Sequence, residues 1–261
     1  MLFKTTGRLF VGAFKALFAN FETFLKICWA WFAIFLVFQV LGEIVFPPEI
    51  GNIGFTRFAA AFLFVCVYIL GNASIAVAWH RCLLMEERPG WLHLTVGGRE
   101  LRYAGKFLVV MLIVMILMIP VLAVLWLFIS QFALSIVLMF AAIVFFVLPF
   151  MLRFSLVLPA VALDEPLGFG EAVSDSVGLG LPMSLAAVGL SLVIGGGTFV
   201  IGLLAAGAGG ASVFAGIAVF ILTLALQISA TALQVSVLTG GYYILRERQM
   251  PSGGGPQVPE D

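Results

Sequence analysis

The chain has 261 residues, of which 63% are hydrophobic and only 10% are charged, and its mean hydropathy is +1.20. Charged residues make up about a quarter of an ordinary soluble domain, so this composition excludes a soluble globular protein and indicates an integral membrane protein. The formal net charge is zero, but basic and acidic residues occupy different segments. No basic aromatic surface of the nucleic-acid-binding type is present in the sequence.

A basic, amphipathic segment opens the chain. Residues 3–21 place Phe10, Phe14 and Leu17 at helical spacing, while three basic side chains lie elsewhere on the helix. This pattern predicts a surface helix that lies in the membrane interface or packs on the protein's own bundle, and both arrangements can hold together. The first apolar run begins only near Phe24 and is long enough to span, so we expect it to remain in the mature protein.

Six apolar stretches are each long enough to cross about 30 Å of hydrocarbon at about 1.5 Å per residue. The sequence therefore predicts transmembrane helices at residues 24–45, 58–79, 107–128, 132–152, 181–207 and 213–243. These helices form a single domain of residues 1–248. A disordered tail rich in glycine and proline is predicted at residues 249–261.

Proline and glycine mark the places where these helices should bend or pack closely. Pro120 and Pro149 lie inside the third and fourth spans and are expected to kink them. The fifth span holds a glycine triplet at residues 195–197, for which dense helix packing is one interpretation and a flexible hinge or a lipid-facing gap is the other.

The connection between the second and third spans is too polar to lie in lipid, because it holds five basic and three acidic residues. Pro89 and Gly90 interrupt it. We expect the second span to continue as a helix to about residue 87 and a further short helix to form at residues 92–103.

Lysine and arginine lie almost entirely on one side of the six-span arrangement. Four precede or begin the first span, five lie in the second connection, one lies in the fourth connection and two follow the sixth span. The other side has Arg57 alone. Because basic connections stay in the cytoplasm, both termini are predicted to be cytoplasmic.

Residues 153–181 hold four acidic side chains in an otherwise apolar region. Asp164 and Glu165 are adjacent and would point about 100° apart on a helix, so they do not form the facing pair that acid and base catalysis needs. A helix end or turn before Pro166 is the better interpretation. Glu171 and Asp175 share one face of a short predicted helix.

We predict that this acidic segment docks on the basic connection and closes a cytoplasmic charge layer. Arg153, at the end of the fourth span, is expected to snorkel to the interface or to reach Asp164. The candidate members of this charge layer are His80, Arg81, Arg99, Arg102, Arg153, Asp164, Glu165, Glu171 and Asp175.

The sequence contains no recognised catalytic or cofactor-binding motif. A metal site built from His80 and His93 with Asp164 or Glu165 is the alternative to simple hydrogen bonding of the two histidines. The three cysteines lie in or beside apolar runs and are expected to be free packing residues. We therefore predict no catalytic residue, no cofactor and no metal.

Similar segments precede the first, third and fifth spans. They read TTGRLFVGAFKALFANFETFL, LTVGGRELRYAGKFLVV and LGFGEAVSDSVGLGLPMSL. Each has a glycine, an amphipathic helical segment and then a span with its return span. The predicted fold class is therefore an all-α polytopic membrane protein with six transmembrane helices, built as three repeats of an amphipathic surface helix plus a helical hairpin.

A family resemblance rests on the segment LVLPAVALDEPLGFGEAVSDSVGL, with its proline, acidic pair and Glu-Ala step. It resembles the membrane domain attached to some bacterial glycerophosphoryl diester phosphodiesterases and related stand-alone six-span proteins. The segments AVAWHRCLLMEERPG and GGRELRYAG are similar to those of uncharacterised alphaproteobacterial inner-membrane proteins. The resemblance implies a multi-pass protein of the bacterial inner membrane. We do not expect phosphodiesterase activity, since no counterpart of the soluble phosphodiesterase domain is found in these 261 residues.

These observations predict a non-enzymatic integral membrane protein with a structural, assembly or envelope-homeostasis role through its cytoplasmic face. The expected partners are membrane lipids and other membrane proteins, and not nucleic acid. The alternative is a small transporter or lipid-handling protein. A transport role requires a continuous polar cavity that reaches the middle of the membrane and is lined by Gln227, Thr231, Gln234 or Glu43.

Overall fold

The computed structural model describes residues 2–45, 55–128, 130–207 and 213–249. Within these ranges the chain forms helices and no strand, and six helical stretches are long and apolar enough to cross a membrane. The prediction of an all-α protein with six such helices is therefore confirmed. The predicted tail beyond Gln249, the turn at Pro47 and Pro48, and the side chain of Glu43 lie outside the described residues.

The described residues form ten α-helices. They are α1 (Leu2–Ala19), α2 (Phe21–Val45), α3 (Phe55–Met85), α4 (Gly98–Leu127), α5 (Phe132–Ala142), α6 (Leu148–Ser155), α7 (Val157–Ala162), α8 (Phe169–Asp175), α9 (Gly180–Gly207) and α10 (Val213–Gln249). Helices α5, α6 and α7 follow one another as the fourth span, which therefore reaches about ten residues beyond its predicted end.

The two prolines that were predicted to kink spans, Pro120 and Pro149, lie in different local helix geometry. A π-helical turn at Ile143–Val147 joins α5 to α6 immediately before Pro149. Proline has no N–H and its ring clashes with the carbonyl of the preceding turn, so a widened turn is a common local solution. Pro120 lies within α4, which is assigned as one unbroken helix.

The predicted short helix at residues 92–103 is wrong. α3 ends at Met85, Glu86 has a φ of 57°, and no helix is assigned until α4 begins at Gly98. The intervening backbone is held by α2 rather than by its own helical hydrogen bonds. Trp29 Nε1 donates to Trp91 O at 2.6 Å, and the Lys26 ammonium lies 5.2 Å from the centre of the Trp91 ring.

Helix α1 packs on the bundle. Leu9, Ala13 and Leu17 are buried, one helical turn apart, and face α9 and α10. Glycines make this approach close, because a Cβ at Gly240 would lie 2.9 Å from the Leu9 side chain and one at Gly189 would lie 3.2 Å from Phe10. The opposite face of α1 stays exposed.

Glycine residues of α9 have different surroundings in its first turn and in its middle. At the triplet in α9, a Cβ added at Gly195 or Gly196 would meet nothing within 4 Å, and the helix runs through without a break. Gly195 and Gly196 thus face open space in an unbroken helix, whereas a Cβ at Gly197 would lie 3.4 Å from Leu226 Cδ1, an ordinary packing distance. At Gly180 a Cβ would lie 2.7 Å from Pro149 O, so this residue must be small.

The predicted repeat is only partly visible. α1 and α8 are separate helices before α2 and α9, whereas the middle copy is continuous with α4. Two of the three copies begin with the same cap, in which Glu100 accepts from Gly97 N–H at 2.8 Å and Glu171 accepts from Gly168 N–H at 2.9 Å. The threefold repeat stays a prediction.

One end of the bundle carries the charged side chains, and we call it the charged end. It contains the end of α3, residues 86–97, the first turns of α4, residues 163–179 and the last turns of α10. Ion pairs and hydrogen bonds from α3, α4 and α10 reach residues 162–177. The adjoining half of α3 is the centre of the core. There Trp79 Nε1 donates to Ser236 Oγ of α10 at 2.8 Å, and Trp31 Nε1 of α2 donates to Ser74 Oγ at 3.2 Å.

Candidate functional site

The turn after α7 is the centre of the charged end. Asp164 has a left-handed backbone conformation with a φ of 58°, and Glu165 N–H donates to Ala160 O at 2.8 Å. Aspartate is one of the few residues besides glycine that are enriched in this conformation. The turn directs its two adjacent carboxylates toward different helices.

Asp164 is bound by two arginines of α4. Arg99 donates to Oδ2 from Nε at 2.9 Å and from Nη2 at 2.6 Å, and Arg102 Nη2 donates to Oδ1 at 2.7 Å. The hydrogen bonds from Arg99, assisted by the charge of Arg102, lower the pKa of Asp164, so this carboxylate stays ionised at neutral pH. The structure thus brings Asp164 together with the basic connection.

Glu165 contacts α10 instead. Its carboxylate accepts a hydrogen bond from the Tyr242 hydroxyl and lies 3.2 Å from Arg246 Nη1. From the other side, Arg81 Nη1 of α3 donates to Ala162 O at 3.2 Å. The turn after α7 is therefore fastened to α3, α4 and α10 at once.

Arg153 binds α8 rather than Asp164. Its Nε donates to Ser176 Oγ at 3.1 Å and its Nη2 donates to Val173 O. These are the acceptor groups at the C-terminal end of α8, where a cation is favourable. Arg153 therefore fixes α8 to the end of the fourth span.

The predicted acidic segment does not dock as one unit. Glu171 caps the start of α8, and Asp175 accepts from Gln249 Nε2 of α10 at 2.8 Å. Among the described residues, Asp164 is the member of the segment that pairs with the basic connection. The segment divides because α8 is oriented by its own caps and by α10.

His80 lies beneath the charge layer, fully buried in the core. Its Nδ1 is 2.8 Å from Thr239 Oγ1, and its Nε2 is 3.3 Å from the Tyr103 hydroxyl. Thr239 donates its single hydroxyl proton to Val235 O at 2.8 Å, so it accepts from His80 Nδ1–H. The Tyr103 hydroxyl then donates to Nε2, and the imidazole is a neutral connector of α3, α4 and α10.

His93 lies in the connection and hydrogen-bonds Ser74 Oγ through Nε2 at 3.3 Å. Burial lowers the pKa of His93, which favours the neutral ring at pH 7. Both histidines are thus engaged by hydroxyl groups. Within the part of the chain that the structure describes, no group of three or more histidine, cysteine or acidic residues is arranged to hold a metal ion.

A cavity of about 580 Å³ lies between α3, α4, α6, α7, α9 and α10, in the half of the bundle next to the charged end. Its wall is mainly aliphatic and aromatic. Small side chains leave this space, and they lie on three helices: Ala73 and Ala76 on α3, Ala187 on α9 and Ala230 on α10. A leucine at any of these positions would fill part of it.

A few polar groups reach into the cavity wall. Asn72 Nδ2 donates to Tyr68 O at 2.7 Å, and Gln234 Nε2 donates to Ala187 O at 3.2 Å and to Ser191 Oγ at 3.1 Å. Both amides thus donate N–H groups to protein acceptors at the edge of the cavity. Thr231, the other predicted lining residue in this wall, donates back to its own helix.

Sequence reasoning missed Tyr103 and the alanines of the cavity. Tyr103 was indistinguishable from an interface tyrosine, because nothing in the sequence shows that α4 presents it to His80. Ser236 and Thr239 are three residues apart and therefore lie on one face of a helix. This spacing could have indicated that α10 accepts hydrogen bonds on that face.

Comparison of this chain with family models, with curated proteins and with solved structures finds no match.

Proposed function

We propose that this integral membrane protein is non-enzymatic and binds the apolar chain of a membrane lipid in the cavity between α3, α4, α9 and α10. The observation that carries this proposal is the cavity itself. Its volume of about 580 Å³ lies within the range of about 300–1,000 Å³ that is common for ligand pockets.

The chemistry of the wall supports an apolar occupant. A hydrated solute would need a polar route, yet most of the wall consists of side chains such as Phe107, Met111 and Leu152. Of the residues that a transport path was predicted to use, Thr231 and Gln234 line the cavity. They give a lipid two or three polar contacts without making the space hydrophilic.

The charge layer supports a non-enzymatic role. Asp164 and Glu165 are bound by arginines, Glu171 caps a helix, and Asp175 accepts from a glutamine. Carboxylates that are used in this way stabilise helix packing, whereas a general acid or base has to lie within hydrogen-bonding reach of the substrate proton that it transfers.

We propose further that the protein lies in a bacterial inner membrane with both termini in the cytoplasm. The support is the sequence count, in which twelve of thirteen lysines and arginines fall on one side. With this orientation the cavity belongs to the cytoplasmic half of the membrane. The resemblance to the membrane domain of glycerophosphoryl diester phosphodiesterases agrees with this location and stays a prediction.

The test is native mass spectrometry of the protein purified in a mild detergent. Val188 lines the cavity, and Val193 on the same helix is 51% exposed on its outer surface. We expect Val188→Trp to retain about one lipid per chain fewer than the wild type, because the indole fills the space, and Val193→Trp to retain as many as the wild type. Absence of retained lipid in the wild type, or equal retention in all three, would contradict the proposal.

A structural or assembly role is the second candidate, and the outer face of α1 favours it. Phe3 and Phe18 are 83% and 70% exposed there, although α1 is firmly packed through its other face. Crosslinking in native membranes tests this candidate. A defined protein partner that is lost in Phe18→Ser would support it, and recovery of the chain without any protein partner would remove it.

A further inference from the structure

A second recess lies on the outside of the bundle, on the other face of α4 from the cavity. We call it the cationic groove. It has a volume of about 650 Å³ and lies between α4 and the segment that follows α7. Arg102, Lys106 and Val109 form its α4 wall, and Val161, Leu167 and Phe169 form the facing wall.

The groove is lined by two cations and two carboxylates, and two neighbouring arginines make the local charge balance positive. Asp164 and Glu165 lie at its edge, but each is also neutralised by an arginine outside the groove, namely Arg99 for Asp164 and Arg246 for Glu165. The two lining cations are therefore in excess over the carboxylates that they meet.

Both cations have hydrogen-bonding capacity to spare. Among the described residues Lys106 has no ion pair, and its ammonium lies 4.7 Å from the centre of the Phe169 ring. The Arg102 side chain is 65% exposed and uses Nε for Gly98 O and Nη2 for Asp164. Its remaining N–H groups point to no protein acceptor in this part of the structure, although a guanidinium can donate five.

The groove continues into an apolar stripe along α4. Lys106 stands at the start of the apolar part of this helix, at the level where the charged end meets the membrane-spanning part. One to three turns further on, Val109, Leu112 and Ile116 are 41%, 56% and 57% exposed. A molecule with an anionic head and an aliphatic chain matches this order of cations first and apolar side chains next.

We infer that the cationic groove binds the phosphate-containing headgroup of an anionic phospholipid, with one acyl chain lying along α4. Arg102 and Lys106 contact the phosphate oxygens, and Phe169 covers the glycerol region. Basic sites between helices on a membrane surface commonly hold such headgroups. This site goes beyond the proposed cavity function and does not rest on it, because the groove and the cavity lie on opposite faces of α4.

The experiment uses the full-length protein in micelles that contain equal amounts of phosphatidylglycerol and phosphatidylcholine, and native mass spectrometry counts the bound lipids. We expect a preference for phosphatidylglycerol that falls about fivefold in Lys106→Gln, since one basic residue near a membrane surface contributes about that much. Arg88→Gln is the matched control, because Arg88 is an exposed cation outside the groove. Lys106 forms no ion pair with any described residue, so this variant gives up only the contact with the Phe169 ring and should nearly keep its unfolding midpoint.

Three results would overturn the inference. They are an equal loss of preference in Lys106→Gln and Arg88→Gln, no preference in the wild type, and displacement of the lipid by millimolar glycerol phosphate, which would indicate a site for soluble anions. Val188→Trp should leave the preference unchanged, so failure of the groove and failure of the cavity are distinguishable.

Discussion

The two halves of the bundle, divided near the middle of the spans, are held together by different interactions. Toward the charged end, α3 is buried at every residue from 73 to 80 and hydrogen-bonds α10. In the other half, Met115, Trp126 and Leu204 are 67%, 72% and 69% exposed. Lipid is as apolar as leucine, so hydrogen bonds and close packing decide where helices associate. The half next to the charged end is the folded core. The cavity lies within this half, and the cationic groove lies on its outer surface.

The largest expected difference in stability between the two halves comes from removing one tryptophan in each. Trp79 is 1% exposed, packs edge-on against Phe24 at 5.8 Å between ring centres, and donates to Ser236. We expect Trp79→Ala to lower the free energy of unfolding by about 3 kcal/mol, because it leaves a cavity and removes the hydrogen bond from the indole N–H to Ser236 Oγ. Trp126→Ala should change it by less than about 0.5 kcal/mol. Unfolding in mixed detergent micelles measures both, and similar losses would show that the two halves are equally packed.

Two glycine substitutions should have effects of opposite sign. Gly180→Ala places a Cβ 2.7 Å from the backbone oxygen of Pro149, and we expect it to destabilise the fold by about 1–3 kcal/mol. Gly196→Ala adds a methyl group to open space within α9, so helix propensity alone should stabilise the protein by up to about 1 kcal/mol. The same unfolding assay applies. A loss of stability in Gly196→Ala would mean that Gly196, in the half of the bundle away from the charged end, is packed against a neighbouring group.

Substitutions in the charge layer should have a smaller effect on the free energy of unfolding. Asp164→Asn keeps a residue that accepts the left-handed conformation but removes the charge that Arg99 and Arg102 share, and it should cost about 1 kcal/mol. Exchanging the charges of Arg102 and Asp164 singly should weaken the protein, and the double exchange should restore part of the loss. Glu86→Gln, an exposed carboxylate, is the control. An absence of any rescue would remove the pairing as a source of stability.

The smallest expected effect is a pH dependence from His93. Burial lowers the pKa of His93 in the folded protein. Below a pH of about 6.5, the ordinary pKa of histidine, the unfolded chain therefore binds a proton more readily than the folded protein does. The stability that His93 contributes is full above that pH and is lost as the pH falls toward the lowered pKa. Unfolding midpoints at pH 7.5 and 5.5 measure this loss, and His93→Gln should make the two closer. An unchanged difference would assign the pH dependence to other groups.

Much of this fold follows from hydropathy and charge. Length and apolarity located all six spans, and the positions of Arg102 and Asp164 predicted that opposite charges meet at one end. The connection at residues 86–97 could not be predicted, because Trp91 is held by Trp29 from a helix that is distant in sequence. An amphipathic pattern gives no information about such a contact.

The cavity could not be predicted for a different reason. Alanine at positions 73, 76 and 187 fits a close helix contact as well as it fits a void, and only the relative placement of α3, α9 and α10 distinguishes them. In the same way, the glycines of α9 suggested close packing, although Gly195 and Gly196 face open space. Small residues allow close approach but do not require it.

Photo-crosslinking with a phospholipid that is first incorporated into membranes tests most directly whether a lipid chain occupies the cavity. A phospholipid with a diazirine in the middle of its acyl chain is incorporated, the protein is extracted with detergent before irradiation, and modified residues are mapped by mass spectrometry. We expect label on Met111 and Met151, which line the cavity, and no label on Met115, which faces outward. Label confined to Met115, or none after extraction, would contradict it.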